Sequence, residues 1–510
     1  MKASLRQDLP ASIVVFFVAV PLCLGIALAS GAPPFAGLIA GIIGGLVVGM
    51  LSGSPLGVSG PAAGLAVIVA QGIKDLGSYE TFLLAVFLSG FVQIGLGLLR
   101  AGVLGYFFPS SVIRGMLAGI GILILGKQLP LFMGWQKTDG GKEYAWFDEA
   151  VAAGDLSADS SFFETYAVGL QNVNSHALLV AAVSMAILLV WDNVLSKRGG
   201  FFKVIQGPLV AVAFGILYQV FVTTSDAELV TVPVLDSADK IMDAIRIPTW
   251  SALGNADVWI MAVTIAVVGS LETLLCLDAT DKLDPQKRVT PPSRELLAQG
   301  VGNSLSGLIG GLPVTQVIVR SSANINARAA TKLSAILHGG FLLLAVLLVP
   351  GLLNMVPLAA LASILIIVGY KLAKPQLFAT IYRYGWGQFL PFLTTVLGIV
   401  FTDLLKGIGM GIAVAVIVLL RRNFRNSHFL RSEGKDEETG EHRVNIRLSE
   451  EVTFLNKGSI IRELSEVPDG STVVIDRSNC VDIDHDVIEV IDDFQTNAKD
   501  RGITVEVVTG

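Results

Sequence analysis

The sequence predicts an α-helical membrane protein of fourteen spans, arranged as two sets of seven, followed by a small α/β domain. Three observations lead there. The 510 residues are 53% hydrophobic and only 15% charged, with a mean hydropathy of +0.68, whereas a soluble domain carries roughly 25% charged residues. Apolar runs near the length of about 20 residues that a helix needs to cross a bilayer recur from residue 11 to residue 422. Beyond Arg421 the pattern changes to short alternating and amphipathic segments.

The basic start Met1-Lys2-Ala3-Ser4-Leu5-Arg6 precedes a long apolar run without a small-x-small cleavage site, which predicts an uncleaved first span. The first seven spans fall at 11–30, 35–52, 60–73, 79–99, 110–133, 175–196 and 207–223. The second seven fall at 256–277, 294–309, 313–327, 331–350, 356–372, 387–403 and 406–422. The third member of each set is short and broken. One break is Gly53-Ser54-Pro55-Leu56-Gly57-Val58-Ser59-Gly60-Pro61, the other Gly310-Gly311-Leu312-Pro313. An odd number of spans per set makes the second set enter the membrane from the opposite side, an inverted repeat. Paired interrupted segments in matching places are the sequence pointer to the binding site of a secondary transporter.

Charge sets the orientation. Inner segments gather Lys2, Arg6, Arg100, Lys197, Arg198, Lys203, Lys282, Lys287, Arg288, Arg328, Lys332, Lys371, Lys374, Arg383, Arg421, Arg422 and Arg425. Outer segments hold Lys74, Lys137, Lys142, Lys240, Arg246 and Lys406. This asymmetry puts both termini in the cytoplasm of a multi-pass plasma (inner) membrane protein. The outer loops 134–174 and 224–255 are acidic (Asp148, Glu149, Asp155, Asp159; Asp226, Glu228, Asp236, Asp239), which argues against long-range steering of an anion.

Residues 1–425 thus form a membrane domain, 426–443 a solvated linker or hairpin, and 444–510 a soluble domain. In the last, Val444–Leu448, Val452–Leu455, Thr472–Asp476 and Ile503–Val508 read as strands of a mixed sheet. Lys457–Glu466 and Asp484–Arg501 read as helices. So small a core predicts packing on another copy or on the membrane domain. The net charge of −6 excludes a nucleic-acid partner, and Cys23, Cys276 and Cys480 lack metal or redox spacing. No nucleophile triad, metal cluster, Walker loop or dinucleotide motif stands out, so an enzyme is not expected.

Glu272, in Val267-Val268-Gly269-Ser270-Leu271-Glu272-Thr273, is an ionisable residue inside span 8. Such a group is costly unless it faces a cavity or a partner, and it reads as an ion or proton site. The plainer reading is an interhelical ion pair, with Arg320 as one possible partner. Thr315 and Gln316 are expected in the first turn of a half-helix starting near Pro313, facing a second tip near Pro61-Ala62-Ala63. Two such tips converge their free amides and dipole ends on one point, which makes an anion site. Arg320 then lies about 10 Å deeper, at 1.5 Å per residue, either adding positive potential or sitting at the interface. Arg114, Lys127, Asp192 and His338 read as weaker candidates, with His338 as a packing residue.

Ser59-Gly60-Pro61, Gly269-Ser270-Leu271-Glu272, Gln299-Gly300-Val301-Gly302-Asn303, Gly310-Gly311-Leu312-Pro313 through Arg320-Ser321, and Asp476-Arg477-Ser478 in the tail together resemble the SulP anion permease family. The tail resembles a STAS domain. The resemblance covers essentially the whole chain. It implies core and gate subdomains, elevator-like alternating access, and a homodimer through the STAS and membrane domains, with a small inorganic anion held between spans 1, 3, 8 and 10. The implied substrate-binding residues are Leu22, Ile26, Ala62, Ala63, Thr315, Gln316, Val317 and Arg320. The implied coupling-ion residues are Glu272, Cys276, Gln316 and Ile318, with Glu272 also a possible Na+ ligand and no other cofactor. Ser478 falls where a STAS domain carries a regulatory serine, though a plain loop serine after a strand is the favoured reading.

Within the family the chain looks most like the sodium-coupled bacterial bicarbonate transporters. Yet Cys276, Val317 and Ile318 stand where oxygen ligands belong, and a hard cation prefers oxygen. Proton coupling through Glu272 is the natural substitute. The apolar floor at Leu22 and Ile26 suits a small anion. The expected function is secondary active uptake of bicarbonate by Na+ or H+ symport, with a sulfate permease or exchanger second. An anion channel, a STAS-regulated sensor and a nucleobase symporter rank below these, since no pore-lining charge ring is present and span 8 is poor in polar groups.

Overall fold

A computed structural model describes residues 2–100, 102, 109–135, 169–198, 206–222, 244–402, 404–425, 428–435, 442–453 and 456–509. Most of the acidic outer loops lie outside the described residues. The chain divides into two compact units, Met1–Ile381 with Thr395–Ile408, and Tyr382–Thr394 with Gly409–Gly510.

The helices of the larger unit run in chain order as α1 (Lys2–Ala29), α2 (Pro34–Ile43), α3 (Ala66–Leu76), α4 (Tyr79–Leu98), α5 (Ser110–Phe132), α6 (Ser175–Val190) and α7 (Gly207–Val222). Then follow α8 (Ala256–Leu283), α9 (Pro292–Leu308), α10 (Ile318–Asn326), α11 (Leu333–Leu348) and α12 (Leu358–Leu372). Two of its strands, β1 (Ser59–Pro61) and β2 (Val314–Gln316), precede α3 and α10. Helices α13 (Pro375–Arg383), α14 (Trp386–Phe401) and α15 (Leu404–Arg425) each have residues in both units. Among the described residues, eight helical stretches are long and apolar enough to cross a membrane. Gly207–Val222, Leu333–Leu348 and Trp386–Phe401 are shorter apolar helices.

Small residues let the backbones meet, as packing in lipid favours. A Cβ on Gly90 would strike the Gly300 carbonyl and Ser304, and one on Gly307 would strike the Phe87 amide, so α4 and α9 lie in intimate contact. Gly121 and Gly369 bring α5 and α12 equally close. After α2 the chain widens into a π-helical stretch, Gly44–Val48, where Gly45 lies against Gly339 of α11. Asp8, fully buried on α1, accepts from the amides of Ala330 (2.7 Å) and Thr331 (3.0 Å) and so holds the start of α11.

The smaller unit carries a four-stranded mixed sheet, with β3 (His428–Lys435), β4 (His442–Leu448), β6 (Thr472–Asp476) and β8 (Thr504–Val508) in the order β3-β4-β6-β8. Only β3 is antiparallel to its neighbour. The two-residue strands β5 (Glu451–Val452) and β7 (Asp482–Ile483) pair separately. Helices α16 (Lys457–Ser465) and α17 (His485–Asn497) supply Ile460, Leu464, Val487 and Ile491 to a core with Val444, Ile446, Val473 and Ile475. Part of the stretch expected as linker is therefore the strand β3, which extends the sheet by one edge. Ser478 is exposed, and its hydroxyl (2.5 Å) and amide (2.9 Å) both donate to Asp476 Oδ1. Those two donors hold the Asp476 carboxyl below its ordinary range, the hydroxyl first.

Candidate functional site

The two broken segments meet. β1 and β2 form an antiparallel ladder in which Ser59 faces Gln316, Gly60 faces Thr315 and Pro61 faces Val314. Because the strands run oppositely, the helices that follow leave in opposite senses, and their first turns face each other across the ladder. The opposed tips expected from the sequence are thus present, but their starts are displaced. Pro61 ends a strand, Ala63–Leu65 is a single 3-10 turn, and α3 begins at Ala66. Likewise α10 begins at Ile318, not near Pro313, so Thr315 and Gln316 lie in a strand and not in a first helical turn. The cause is pairing: Gly and Pro on both segments allow an extended backbone, and each strand satisfies the other.

Buried side chains hold this ladder. Asn303 on α9 accepts from the Val314 amide (2.5 Å) and donates to its carbonyl (3.0 Å) and to Gln93 Oε1 (2.7 Å). Gln299 donates to Ser59 Oγ at 2.8 Å. Ser321 Oγ accepts from the Val58 amide (3.0 Å), and Asn324 donates to the Leu56 carbonyl (3.0 Å). The Gln316 amide donates to Thr273 Oγ1 at 3.3 Å. Sequence reasoning missed these roles. A signal existed: Glu295, Gln299, Asn303 and Ser306 form a polar stripe at helical spacing inside an apolar span, and all four are buried.

The predicted site residues separate into groups. The Gly64 amide faces the Glu272 carboxylate, and a Cβ on Gly64 would stand 2.5 Å from Glu272 Oε1. Glu272 is 9% exposed, and its Oε2 has no hydrogen-bond partner. One turn on, the Ile318 amide faces the Cys276 sulfur. Ala63, Cys276, Val317 and Ile318 are partly exposed. Ala62 is buried. Gln316 does not join Glu272: its side-chain amide reaches Thr280 Oγ1 (3.1 Å), two turns along α8. Thr315 is fully buried with Oγ1 unpartnered, its methyl toward Gly269.

Arg320 is neither interfacial nor paired with Glu272. It lies in the first turn of α10, fully buried, with Nη2 3.3 Å from Cys23 Sγ on α1. Its Nη1 presses on Gly60, where a Cβ would collide with it, and Nη1 and Nε have no partner. Leu22 and Ile26 are buried on α1, on either side of Cys23 in sequence. His338 of α11 is fully buried, with Nδ1 3.2 Å from the Ala335 carbonyl.

The oxygen set around Glu272 suits a sodium ion poorly. Among the described residues, Glu272 offers its carboxylate, Thr273 Oγ1 is taken by the Gln316 amide, Cys276 offers sulfur and Ile318 an amide hydrogen. A hard cation needs about six oxygens.

Known proteins share this sequence and fold. The chain is 28% identical over 419 residues to YvdB of Bacillus subtilis, a protein provisionally named a sulfate transporter, covering 82% of this chain and 74% of that one. It is 26% identical over 428 residues to the bicarbonate transporter BicA of Picosynechococcus sp., covering 82% and 71%. The structure of SLC26A9 superposes with a TM-score of 0.75 at 15% identity, covering 99% of this chain and 84% of that chain, which shows a shared fold. The sulfate permease family profile matches residues 5–395, well over half the chain, and the chain belongs to that family of multi-pass membrane anion transporters, which are not enzymes.

Proposed function

We propose that the chain is a secondary active transporter that takes up bicarbonate by proton symport, with sulfate as the second substrate. The single observation that carries the coupling is Glu272, a buried carboxylate with an unpartnered oxygen and, among the described residues, no cation paired with it, facing the Gly64 amide ahead of α3. A small oxyanion between the tips meets backbone amides and the field of Arg320, which brings the positive charge. Small side chains at Ala62 and Ala63 let it approach the backbone, and the aliphatic Val317, Leu22 and Ile26 exclude larger polyanions.

The proposal extends to architecture. The helices form fourteen spans in two inverted sets of seven, residues 444–510 are a STAS domain, both termini lie in the cytoplasm, and the protein works as a homodimer in the plasma membrane. Alternating access moves the ladder and its helices as one body. Ser478 serves mainly to close its loop on Asp476.

Uptake of labelled bicarbonate and labelled sulfate into proteoliposomes, under imposed proton or sodium gradients, tests this. The proton gradient is expected to drive uptake and the sodium gradient not to. Glu272→Gln is expected to abolish gradient-driven uptake while leaving anion exchange. Uptake by the variant that still follows the proton gradient would remove Glu272 from the coupling, and a steady single-channel conductance would replace the transporter with a channel.

A further inference from the structure

A second buried carboxylate lies on α9, away from the tips. Glu295 is 1% exposed, and among the described residues no cation pairs with it. Ser52 Oγ donates to its Oε2 at 2.5 Å, and Gln299 Nε2 donates to its Oε1 at 2.9 Å. The Gly53 amide also faces it. The same Gln299 Nε2 donates to Ser59 Oγ at 2.8 Å, and Ser59 is the β1 residue that faces Gln316 across the ladder. Gln299 is fully buried, and its Oε1 has no donor at all.

We propose that Glu295 is a second proton-binding residue and that Gln299 transmits its charge state to the ladder. This rests on the proton-symport reading above. With Glu295 ionised, the Gln299 amide donates to the carboxylate and to Ser59, as observed. When a proton adds to Glu295 Oε1, that oxygen becomes a donor and needs an acceptor. A half-turn of the Gln299 amide supplies one, because it places the donorless Oε1 where Nε2 stood, at no cost in volume. Ser59 must then donate to Gln299 where before it accepted. One proton binds, no other covalent bond changes, and the hydroxyl of β1 reverses direction beside the site.

The surroundings favour a proton over a metal ion. The carboxylate oxygens already hold hydrogen bonds, and an N–H points into the position a cation would take. Its charged neighbours are few. Asp281 at the end of α8 is a like charge that bonds Thr290, and Asp278 on the same helix pairs with Lys282. From α9 itself, Arg294 turns to the Leu51 carbonyl, and Lys332 ahead of α11 donates to the Met50 carbonyl. On α4, Glu80 stands at the far end with Arg246, and Arg100 just beyond its near end is exposed. Neither α2, the π-helical stretch nor β2 carries a charged residue. A lone carboxylate held inside a membrane domain without a cation is costly in its charged form, which favours exchange of a proton.

Full-length protein in proteoliposomes, with labelled sulfate as the probe, tests this, because sulfate keeps its charge between about pH 5 and pH 9. Glu295→Gln fixes the neutral form. It is expected to lower pH-gradient-driven accumulation by about tenfold or more while gradient-free exchange stays within about threefold, the scale of a typical coupling. Gln299→Leu cuts the link and is expected to flatten the pH profile equally with Glu295 still in place. If Glu295→Gln does not fold, Gln299→Leu carries the test alone. An unchanged gradient response in the variants overturns the inference and leaves proton symport standing. Loss of exchange together with uptake in a folded variant also overturns it. A wild-type protein indifferent to the pH gradient overturns both.

Discussion

One face of the β1–β2 ladder carries a buried cation and the other a buried carboxylate. Toward α1, α2 and α11 stands Arg320, a fully buried cation with two unpartnered nitrogens and, among the described residues, no carboxylate paired with it. Toward α8 and α9 stand Glu272 Oε2, Thr315 Oγ1, Gln316 Oε1 and Gln299 Oε1, buried oxygens without donors. In most proteins a buried charge finds its opposite within reach, and few buried polar atoms stay unpaired. Here the two charges meet different glycines of one segment, Arg320 against Gly60 and Glu272 against Gly64. On the proton-symport proposal, an anion would pair with Arg320 and a proton with Glu272, and a carrier that binds both before moving would neutralise both charges at once.

The largest expected effect comes from emptying the positive face. Arg320→Gln should lower anion uptake by about a hundredfold, the scale of a charged hydrogen bond of up to about 3 kcal/mol. Thermal stability should hold or rise, because removing a buried charge without a partner relieves its desolvation cost. Uptake and melting temperature, measured on the same preparation, separate the two. Strong destabilisation would mean that Arg320 is a structural residue, and near-normal uptake would remove it from the anion's field.

Two glycines then sharpen the comparison, one on each face. Gly60→Ala drives a methyl into Arg320 Nη1, and Gly64→Ala drives one into the Glu272 carboxylate. Overpacking of this kind costs about 1–3 kcal/mol. Gly60→Ala should raise the anion KM and leave the pH dependence of uptake alone. Gly64→Ala should shift the pH dependence and change KM less. Identical phenotypes in the two variants would mean that the ladder fails as one unit, with no division of labour between its faces.

How much of this was legible in the sequence depends on the range of the forces involved. The apolar segments were, because each reflects twenty or so neighbours in the chain. Glu272 was, because one carboxylate among Val267, Gly269 and Leu271 violates the local pattern. The paired breaks were visible, but their conformation was not. Whether Gly310-Gly311-Leu312-Pro313 opens a helix or a strand depends on Ser59, Gly60 and Pro61, some 250 residues away. The pairing moves Thr315 and Gln316 out of the helix tip, where they were expected, and brings Arg320 into it. Likewise nothing local said that Arg320 turns back to Cys23 and not toward Glu272. The polar stripe on α9 was readable by its period, but its partners, Gln93 and Ser59, lie on other helices and strands.

The smallest effect concerns the identity of the coupling ion on the acceptor face. Glu272 already provides oxygen, and the vacancy in the set lies at Cys276 and Val317. Cys276→Ser exchanges a soft sulfur for a hard oxygen at nearly the same volume, and Val317→Thr does so for one methyl. The double variant should acquire a severalfold stimulation of uptake by sodium that the wild type lacks, with its proton response reduced, since both ions would compete for Glu272. The sodium dependence of initial rates at fixed pH measures it. A wild-type protein already stimulated by sodium would show that the thiol and the aliphatic side chains do not govern ion choice. The Glu272 carboxylate would then be paired with a cation from the start.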